Sequence, residues 1–337
     1  MRNTPEISVI VPVYNGESFL PFALESVLLQ SMENFEIICI NDGSSDGSLN
    51  ILREYEKKDE RIRVIDKENE GLAKTRNHGI ACAKGTYIAF LDQDDYFHHD
   101  MLKSLYEAIK RTNVRLAMCK AVKTERRSLE LINEQNDSTI SEESILTEDE
   151  ALELLFHPFA FQLVVPWNKL YHHTIFDSIQ YPAGKGCDDE HVIHHIIKAS
   201  DGIAFINKTL YYYYHNAESF MNSPYHKLRA DVFSAYADRM QFFKNQGKWE
   251  WCAKQATMTL HMYIIHYRMA KNLSNYQKQF ARDYKTFFKE NKSFIRKKGK
   301  FELQIFYVHP YLHQLFESVR RKLSETNKKL NFQFLID

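Results

Sequence analysis

"ISVIVPVYNGE", residues 7–17, is the stretch on which the reading of the fold turns. Ile7 to Val13 is β-branched and apolar almost without a break. It lacks the polar alternation of a half-exposed strand, so it reads as a strand buried on both faces. Working outward, "SFLPFALESVLLQ" (18–30) has helical spacing and "FEIICI" (35–40) is a second strand. "DGSLNILREYEKK" (46–58) is a helix opened by a Ser/Asp cap. "RIRVID" (61–66) is a third strand, and "GLAKTRNHGIACAKG" (71–85) a helix that ends at Gly85. "TYIAFLD" (86–92), "HHDMLKSLYEAIKRT" (98–112) and "RLAMCKAV" (115–122) add strand, helix and strand. The alternation predicts an α/β fold: a mixed, mainly parallel, Rossmann-like sheet flanked by helices, with ligands at the C-terminal strand ends.

Residues 124–148 interrupt the pattern with polar, acidic sequence and read as an exposed excursion, a hairpin among the options. A helix near 148–156 follows. "VVPWNKLY" (164–171) reads as a strand, 189–199 as a helix, and "GIAFI" (202–206) and "TLYYYYH" (209–215) as two short strands. From 224 the character changes. Leu228, Val232, Tyr236, Met240 and Phe243 repeat at helical spacing, and so do Cys252, Ala256, Leu260, Ile264 and Tyr267. The expected organisation is a sheet domain over 1–223 and a basic, mostly helical C-terminal domain over 224–337.

The 337 residues balance to zero formal charge, yet residues 1–225 carry 22 Lys and Arg against 35 Asp and Glu, and residues 226–337 carry 22 against 9. A basic C-terminal part suits an anionic membrane surface, or the acidic part of its own chain. It contains no recognisable nucleic-acid module, so no nucleic-acid partner is expected. The five cysteines are scattered without a CxxC pair, which points to reduced, mostly buried thiols. No signal peptide and no run of membrane-spanning length are seen. The expected location is cytoplasmic, with any membrane contact peripheral.

Four polar stations sit just past successive strands: "VYNGE" (13–17), "NDGSSDGS" (41–48), "NEGLAKTRN" (69–77) and "LDQDD" (91–95). Each alone reads as a turn or a helix cap. In this order, after these strands, they make a ligand site.

These stations resemble those of the family 2 glycosyltransferases, which have the GT-A fold. The matching stretches are "VIVPVYNGESFLPFALESVLLQS", "EIICINDGSSDGS", "NEGLAKTRNHGIACAKGTYIAFLDQDD", "WNKLY" and "CDDE". They cover about the first 220 residues and none of the C-terminal part. The resemblance implies an inverting, metal-dependent transferase acting on a UDP-sugar in bacterial surface-polysaccharide synthesis. It places Pro12, Tyr14, Asp42, Arg76, Asp92 and Gln93 at the donor. Tyr14 would stack on the base and Asp42 would accept from the imide N–H of uracil. The Arg76 fork suits the diphosphate. Alternate residues of an extended segment point the same way, so Asp92 and Asp94 can share one Mn2+ or Mg2+.

The same resemblance bears on "GCDDEHVIHH" (186–195). Inverting transfer needs a base for the acceptor hydroxyl proton. Asp189 takes the base position, with Asp188 standing where the family usually has Glu. Both also suit a helix N-terminus. The His191/His195 spacing permits zinc, but no third ligand is patterned, and His191, His194 and His195 are read as surface or groove histidines, His191 as an acceptor contact. Trp167 is either a sugar platform or core. Lys169 either meets an anionic acceptor or lays its stem on the surface. His215 takes the place of a family Arg. The acceptor is a glycan hydroxyl, in a lipid-linked acceptor or a free one. Two rivals remain. A sugar-phosphate nucleotidyltransferase needs an Arg/Lys-bearing Gly-rich loop where this chain has "VYNGESF". A non-catalytic nucleotide-sugar-binding partner would bind donor without transfer.

Overall fold

A computed structural model describes residues 4–127, 143–157, 160–215, 230–270, 273–295, 300–308 and 310. The chain forms two compact units, Met1–Ala235 and Tyr236–Asp337. The expected boundary at 223/224, most of the polar excursion (128–142) and Leu228 lie outside the described residues.

The first unit is built on one nine-stranded sheet. Strand β1 (Ile7–Val13) is buried along its whole length. It pairs in parallel with β2 (Phe35–Asp42) on one side and β4 (Tyr87–Phe90) on the other, and β3 (Ile62–Lys67) extends the sheet beyond β2. Helices α1 (Leu20–Leu28), α2 (Ser48–Lys58) and α3 (Leu72–Cys82) make the crossovers. Beyond β4 the sheet turns mixed. A two-residue β5 (Tyr96–Phe97), α4 (Met101–Thr112) and β6 (Leu116–Thr124) come next in the chain. Then follow β7 (Glu143–Leu146), α5 (Glu148–Leu154), α6 (Ala160–Val164), β8 (Lys169–His172), α7 (Asp188–Ala199) and β9 (Ile203–Tyr214). The spatial order is β3-β2-β1-β4-β8-β6-β9-β5, with β7 on β9. This is the GT-A arrangement.

Pro12 sits inside the central strand, where a missing N–H is normally costly. In a parallel strand the N–H and C=O of one residue face the same neighbour. The Ile10 carbonyl accepts from Leu91 N at 3.0 Å, so Ile10, and Pro12 two residues on, face the β4 side. The β1–β4 ladder stops at Ile10 beside Phe90, so Pro12 forfeits no ladder bond.

Gly79 in α3 is required by packing: a Cβ there would lie 2.4 Å from Ile10 Cγ2 and 3.0 Å from Ile40 Cδ1. The helix bearing Arg76 therefore lies hard against β1 and β2. Gly79→Val should cost about 1–3 kcal/mol of stability by overpacking, read as a lower urea midpoint, although Gly is the weaker helix former.

Three differences from the sequence reading have physical causes. "VVPWNKLY" is not one strand: Val164 ends α6, Pro166 removes a ladder donor, and only Lys169–His172 pairs. "GIAFI" and "TLYYYYH" are one strand, β9, whose "NKT" segment is absorbed by register shifts against β6 at Cys119–Lys120 and Lys120–Ala121. The two-residue β5 is too short to carry a periodic signal.

The second unit is helical, with the end of α8 (Val232–Asn245), α9 (Trp249–Met269), α10 (Ser274–Glu290) and α11 (Lys300–Val308). Cys252, Ala256, Leu260 and Ile264 are buried as their spacing predicts, with Phe280, Tyr284, Phe288 and Phe306. Tyr284 donates to the Leu303 carbonyl at 2.7 Å, tying α11 to α10. Among the described residues no helix is long and apolar enough to cross a membrane. The five cysteines are free thiols, and Cys39, Cys119 and Cys252 are buried.

Candidate active site

The stations gather where β1, β2, β3 and β4 end. Register puts Val13 beside Asn41 and Asp42 beside Lys67, so Tyr14 and Asp42 leave the sheet side by side. The first two stations are laced together. Asn15 N donates to Ser44 Oγ at 3.0 Å and Gly16 N to Ser48 Oγ at 2.8 Å. In return Ser45 N donates to Asn15 Oδ1 at 2.8 Å and Gly47 N to Glu17 Oε2 at 2.8 Å. The expected Ser/Asp cap of α2 is not formed: Gly47 stands at the N-cap with no side-chain cap bond, and Asp46 before it accepts from Ser48 N at 3.0 Å as a turn contact.

Asp42 is buried and holds the third station. Its Oδ1 accepts from Glu70 N at 2.9 Å and its Oδ2 from Gly71 N at 2.9 Å. Lys67 Nζ donates to Oδ1. Burial alone would raise the Asp42 pKa; Lys67 and the two backbone N–H groups outweigh it and hold the carboxyl below its ordinary value. Gly71 has φ +88 and ψ 162, a backbone region open to glycine almost alone. Among the described residues Oδ2 carries a single hydrogen bond, and it keeps acceptor capacity for another donor. Lys67 went unnoticed in the sequence because the third strand was expected to end at Asp66.

In the fourth station, Gln93 clasps the first. Its Nε2 donates to the Tyr14 carbonyl at 3.0 Å and its Oε1 accepts from Tyr14 N at 2.9 Å. The Tyr14 ring is 51% exposed, free to offer a face. Gln93 thus positions Tyr14 through its backbone. Asp95, the third carboxylate of "LDQDD", is buried and accepts from Tyr211 Oη at 2.7 Å and Tyr214 N at 2.9 Å. It pins the loop to β9, which leaves Asp92 and Asp94 at the partly exposed edge. Burial raises the Asp92 pKa; Arg76 opposes the rise and Asp188 adds to it.

Arg76 is 3% exposed. Its Nη1 donates to Asp188 Oδ1 at 3.0 Å and Oδ2 at 2.9 Å, and its Nη2 reaches Asp92 Oδ1 at 3.5 Å. The guanidinium lies 5.5 Å from the centre of the Tyr181 ring. It therefore joins the fourth station to the acidic motif at the start of α7, and this contact brings Asp188 and Asp189 to the strand-end site. Arg76 Nε and Tyr181 Oη are buried without a hydrogen-bond partner among the described residues. Asp189 is partly exposed and accepts from Glu190 N at 2.9 Å. Burial, with Asp188 and Glu190 beside it, pushes its carboxyl up to about 7, against the pull of Arg76.

Several expected acceptor contacts are located elsewhere. Trp167 is 3% exposed, stacked on Tyr211 at 4.2 Å and on Tyr213 at 5.8 Å, so it is core and offers no sugar platform. Lys169 neither snorkels nor faces an acceptor. It is fully buried and donates to the carbonyls of Gln162 at 2.8 Å and Val165 at 2.6 Å and to Asn168 Oδ1 at 2.7 Å. Burial brings its pKa down to about 7. Lys169→Met leaves those oxygens buried without a donor and should cost about 3 kcal/mol in chemical denaturation. Of the histidines expected at the surface or in a groove, His191 and His194 are buried, because α7 is covered on more than its aliphatic face. His191 Nε2 lies 3.1 Å from Ser234 Oγ. His195 is exposed. His215 continues the ladder after β9, its N–H donating to Thr124 O at 2.7 Å, and the Ser219 that should follow lies outside the described residues. Among the described residues no group of three or more His, Cys, Asp or Glu is placed to hold a metal ion.

The family model for glycosyl transferase family 2 matches residues 8–178, and the chain belongs to that family. Glycosyltransferase GlyA of Streptococcus pneumoniae serotype 4 is 30% identical over 246 residues, which are 72% of this chain and 35% of that relative's length. The uncharacterized glycosyltransferase EpsJ of Bacillus subtilis strain 168 is 29% identical over 276 residues, 80% of this chain and 78% of EpsJ. Among solved structures, S. aureus TarS 1–349 in complex with UDP-GlcNAc superposes with a TM-score of 0.74 at 20% identity, covering 94% of this chain and 92% of that one.

Proposed function

We propose that the chain is an inverting, divalent-metal-dependent glycosyltransferase. It moves a hexose or N-acetylhexosamine from a UDP-sugar to a glycan hydroxyl during synthesis of a bacterial surface polysaccharide. One observation carries the reading: Arg76 touches both Asp92, at the donor end, and Asp188, beside Asp189, so the two halves of a transfer site adjoin. The TarS complex with UDP-GlcNAc supports a UDP-sugar donor, and the similarity to the putative teichuronic acid biosynthesis glycosyltransferase TuaG of B. subtilis, 44% identical over 104 residues, supports the acceptor class.

Tyr14 offers its exposed ring to the base, and Asp42 Oδ2 has room for one more donor. Asp92 and Asp94 supply hard oxygens only, and would hold an Mn2+ or Mg2+, which would supply positive charge against the leaving diphosphate. Asp189, with its carboxyl titrating near neutrality, takes the proton of the acceptor hydroxyl as that oxygen bonds to the anomeric carbon. The bond to the diphosphate breaks on the opposite face, so configuration inverts and UDP leaves. The basic C-terminal residues suit an anionic membrane face that presents a lipid-linked acceptor, consistent with a peripheral protein of the cytoplasmic side.

A panel of UDP-sugars with Mn2+, read as UDP release, tests the proposal. A donor that binds with neither transfer nor hydrolysis would instead favour the non-catalytic binding partner.

A further inference from the structure

Arg76 and Asn77 are neighbours in α3, yet they grip two points 7 residues apart in another segment. Asn77 Nδ2 donates to the Tyr181 carbonyl at 2.8 Å, and its Oδ1 accepts from Tyr181 N at 2.9 Å. Arg76 holds Asp188 through both carboxylate oxygens. Between these points Ala183, Gly184 and Lys185 are exposed. Gly184 has φ +72 and Cys187, the residue that opens α7, has φ 54, unusual for a side chain with a Cβ. The connection is thus a short, exposed, sharply turned loop anchored at both ends by consecutive residues of one helix. That helix is itself seated against β1 and β2 at Gly79.

A buried ion pair contributes little net stability, because desolvation offsets the Coulomb gain; its clearest effect is positional. Asp has only two side-chain torsions. Two hydrogen bonds to its carboxylate therefore fix its backbone closely, and the next residue along is Asp189.

We infer that Arg76 and Asn77 form a two-point clamp whose work is to position Asp189, and that Asp188 is a positioning residue and not a second base. The inference rests on Asp189 being the base. The clamp works through the loop 182–187: Asn77 sets where it starts and Arg76 where it ends. An anchor shift of 1 Å is enough to cost two orders of magnitude when a proton must pass between aligned groups.

The test uses the full chain with its UDP-sugar donor and Mn2+. Asn77→Ala, which removes the two bonds to the Tyr181 backbone, should lower kcat about tenfold and leave UDP affinity by calorimetry within twofold. Asp188→Asn should lower kcat about 100-fold with the same retained affinity, while Asp188→Glu, which can still reach the guanidinium, recovers most of the loss. The double variant Asn77→Ala/Asp188→Asn should lose less than the product of the two single losses, since both act on one loop. The acidic limb of the kcat/KM profile should also move to lower pH in Asp188→Asn, as Asp189 loses a neighbouring negative charge. Full kcat in Asn77→Ala, or multiplicative losses in the double variant, would overturn the clamp. If Asp188→Asn fails to fold, Arg76→Lys serves in its place: it keeps the charge but not the fork, and unchanged kcat there also overturns the inference. Asp189→Asn is run alongside. Undiminished transfer in that variant defeats the base assignment itself, whereas a dead Asp189→Asn beside a fully active Asn77→Ala defeats only the clamp.

Discussion

Asp189→Asn should abolish transfer, about 1,000-fold or more in kcat, with UDP affinity nearly intact. General-base catalysis contributes about 100- to 10,000-fold, and an amide cannot take the proton. The site predicts two accompanying signs. In the parent chain, burial and the neighbouring carboxylates put the Asp189 carboxyl at about 7, so below that pH the base is protonated and kcat/KM should fall about tenfold per unit. The second sign is thermal. A carboxyl raised from 3.8 to about 7 by folding contributes stability that is fully present below 3.8 and lost as pH rises through 7. At pH 8 the folded chain therefore carries an unfavourable charge that Asn removes. The variant should melt several degrees higher than the parent at pH 8, at about 2–4 °C per kcal/mol, and the gap should close toward pH 4. Differential scanning calorimetry at both pH values, beside a transfer assay, checks all three; equal melting temperatures at pH 8 would contradict the burial of this charge.

Asp94→Asn should act on the metal instead. Asp95 is buried against Tyr211 and Tyr214, whereas Asp94 and Asp92 are the partly exposed carboxylates of this loop. Losing one should cut transfer by about two to three orders of magnitude, in line with the several kcal/mol a Lewis acid contributes. It should also remove the gain in UDP affinity that Mn2+ brings, read by calorimetry with and without the ion. Excess chelator should inhibit the parent chain to the same degree; full activity in chelator would refute the metal's role. Asp94 is the cleaner probe because Asp92 also touches Arg76, so Asp92→Asn would loosen the acidic motif as well.

The sheet was legible because a parallel core repeats one local signal: an apolar β-branched run, a polar station, an amphipathic helix. β1 to β4 all register within a residue or two of their runs. What failed were elements defined by partners distant in sequence. β9 reads as two strands until β6 is seen to tolerate its bulge, and Trp167 reads equally as platform or core until Tyr211 and Tyr213 close over it. At the site, the family resemblance pointed to Asp92, Asp94 and Asp189, but their neighbours were invisible. That Gln93 spends its amide on Tyr14, or that Arg76 faces carboxylates, depends on contacts across 79 and 112 positions of chain.

The end of the β1–β4 ladder has a consequence for the fourth station. β1 continues three residues past its last pairing with β4, from Ile10 to Val13, and β2 keeps pace with it. Over that length the chain after β4 leaves the ladder as "LDQDD", and its Gln93 takes hold of Tyr14 beyond the end of β1. Lengthening β4 by a pair of residues would draw Asp92 into the ladder and give Pro12 a neighbour that needs the hydrogen it lacks.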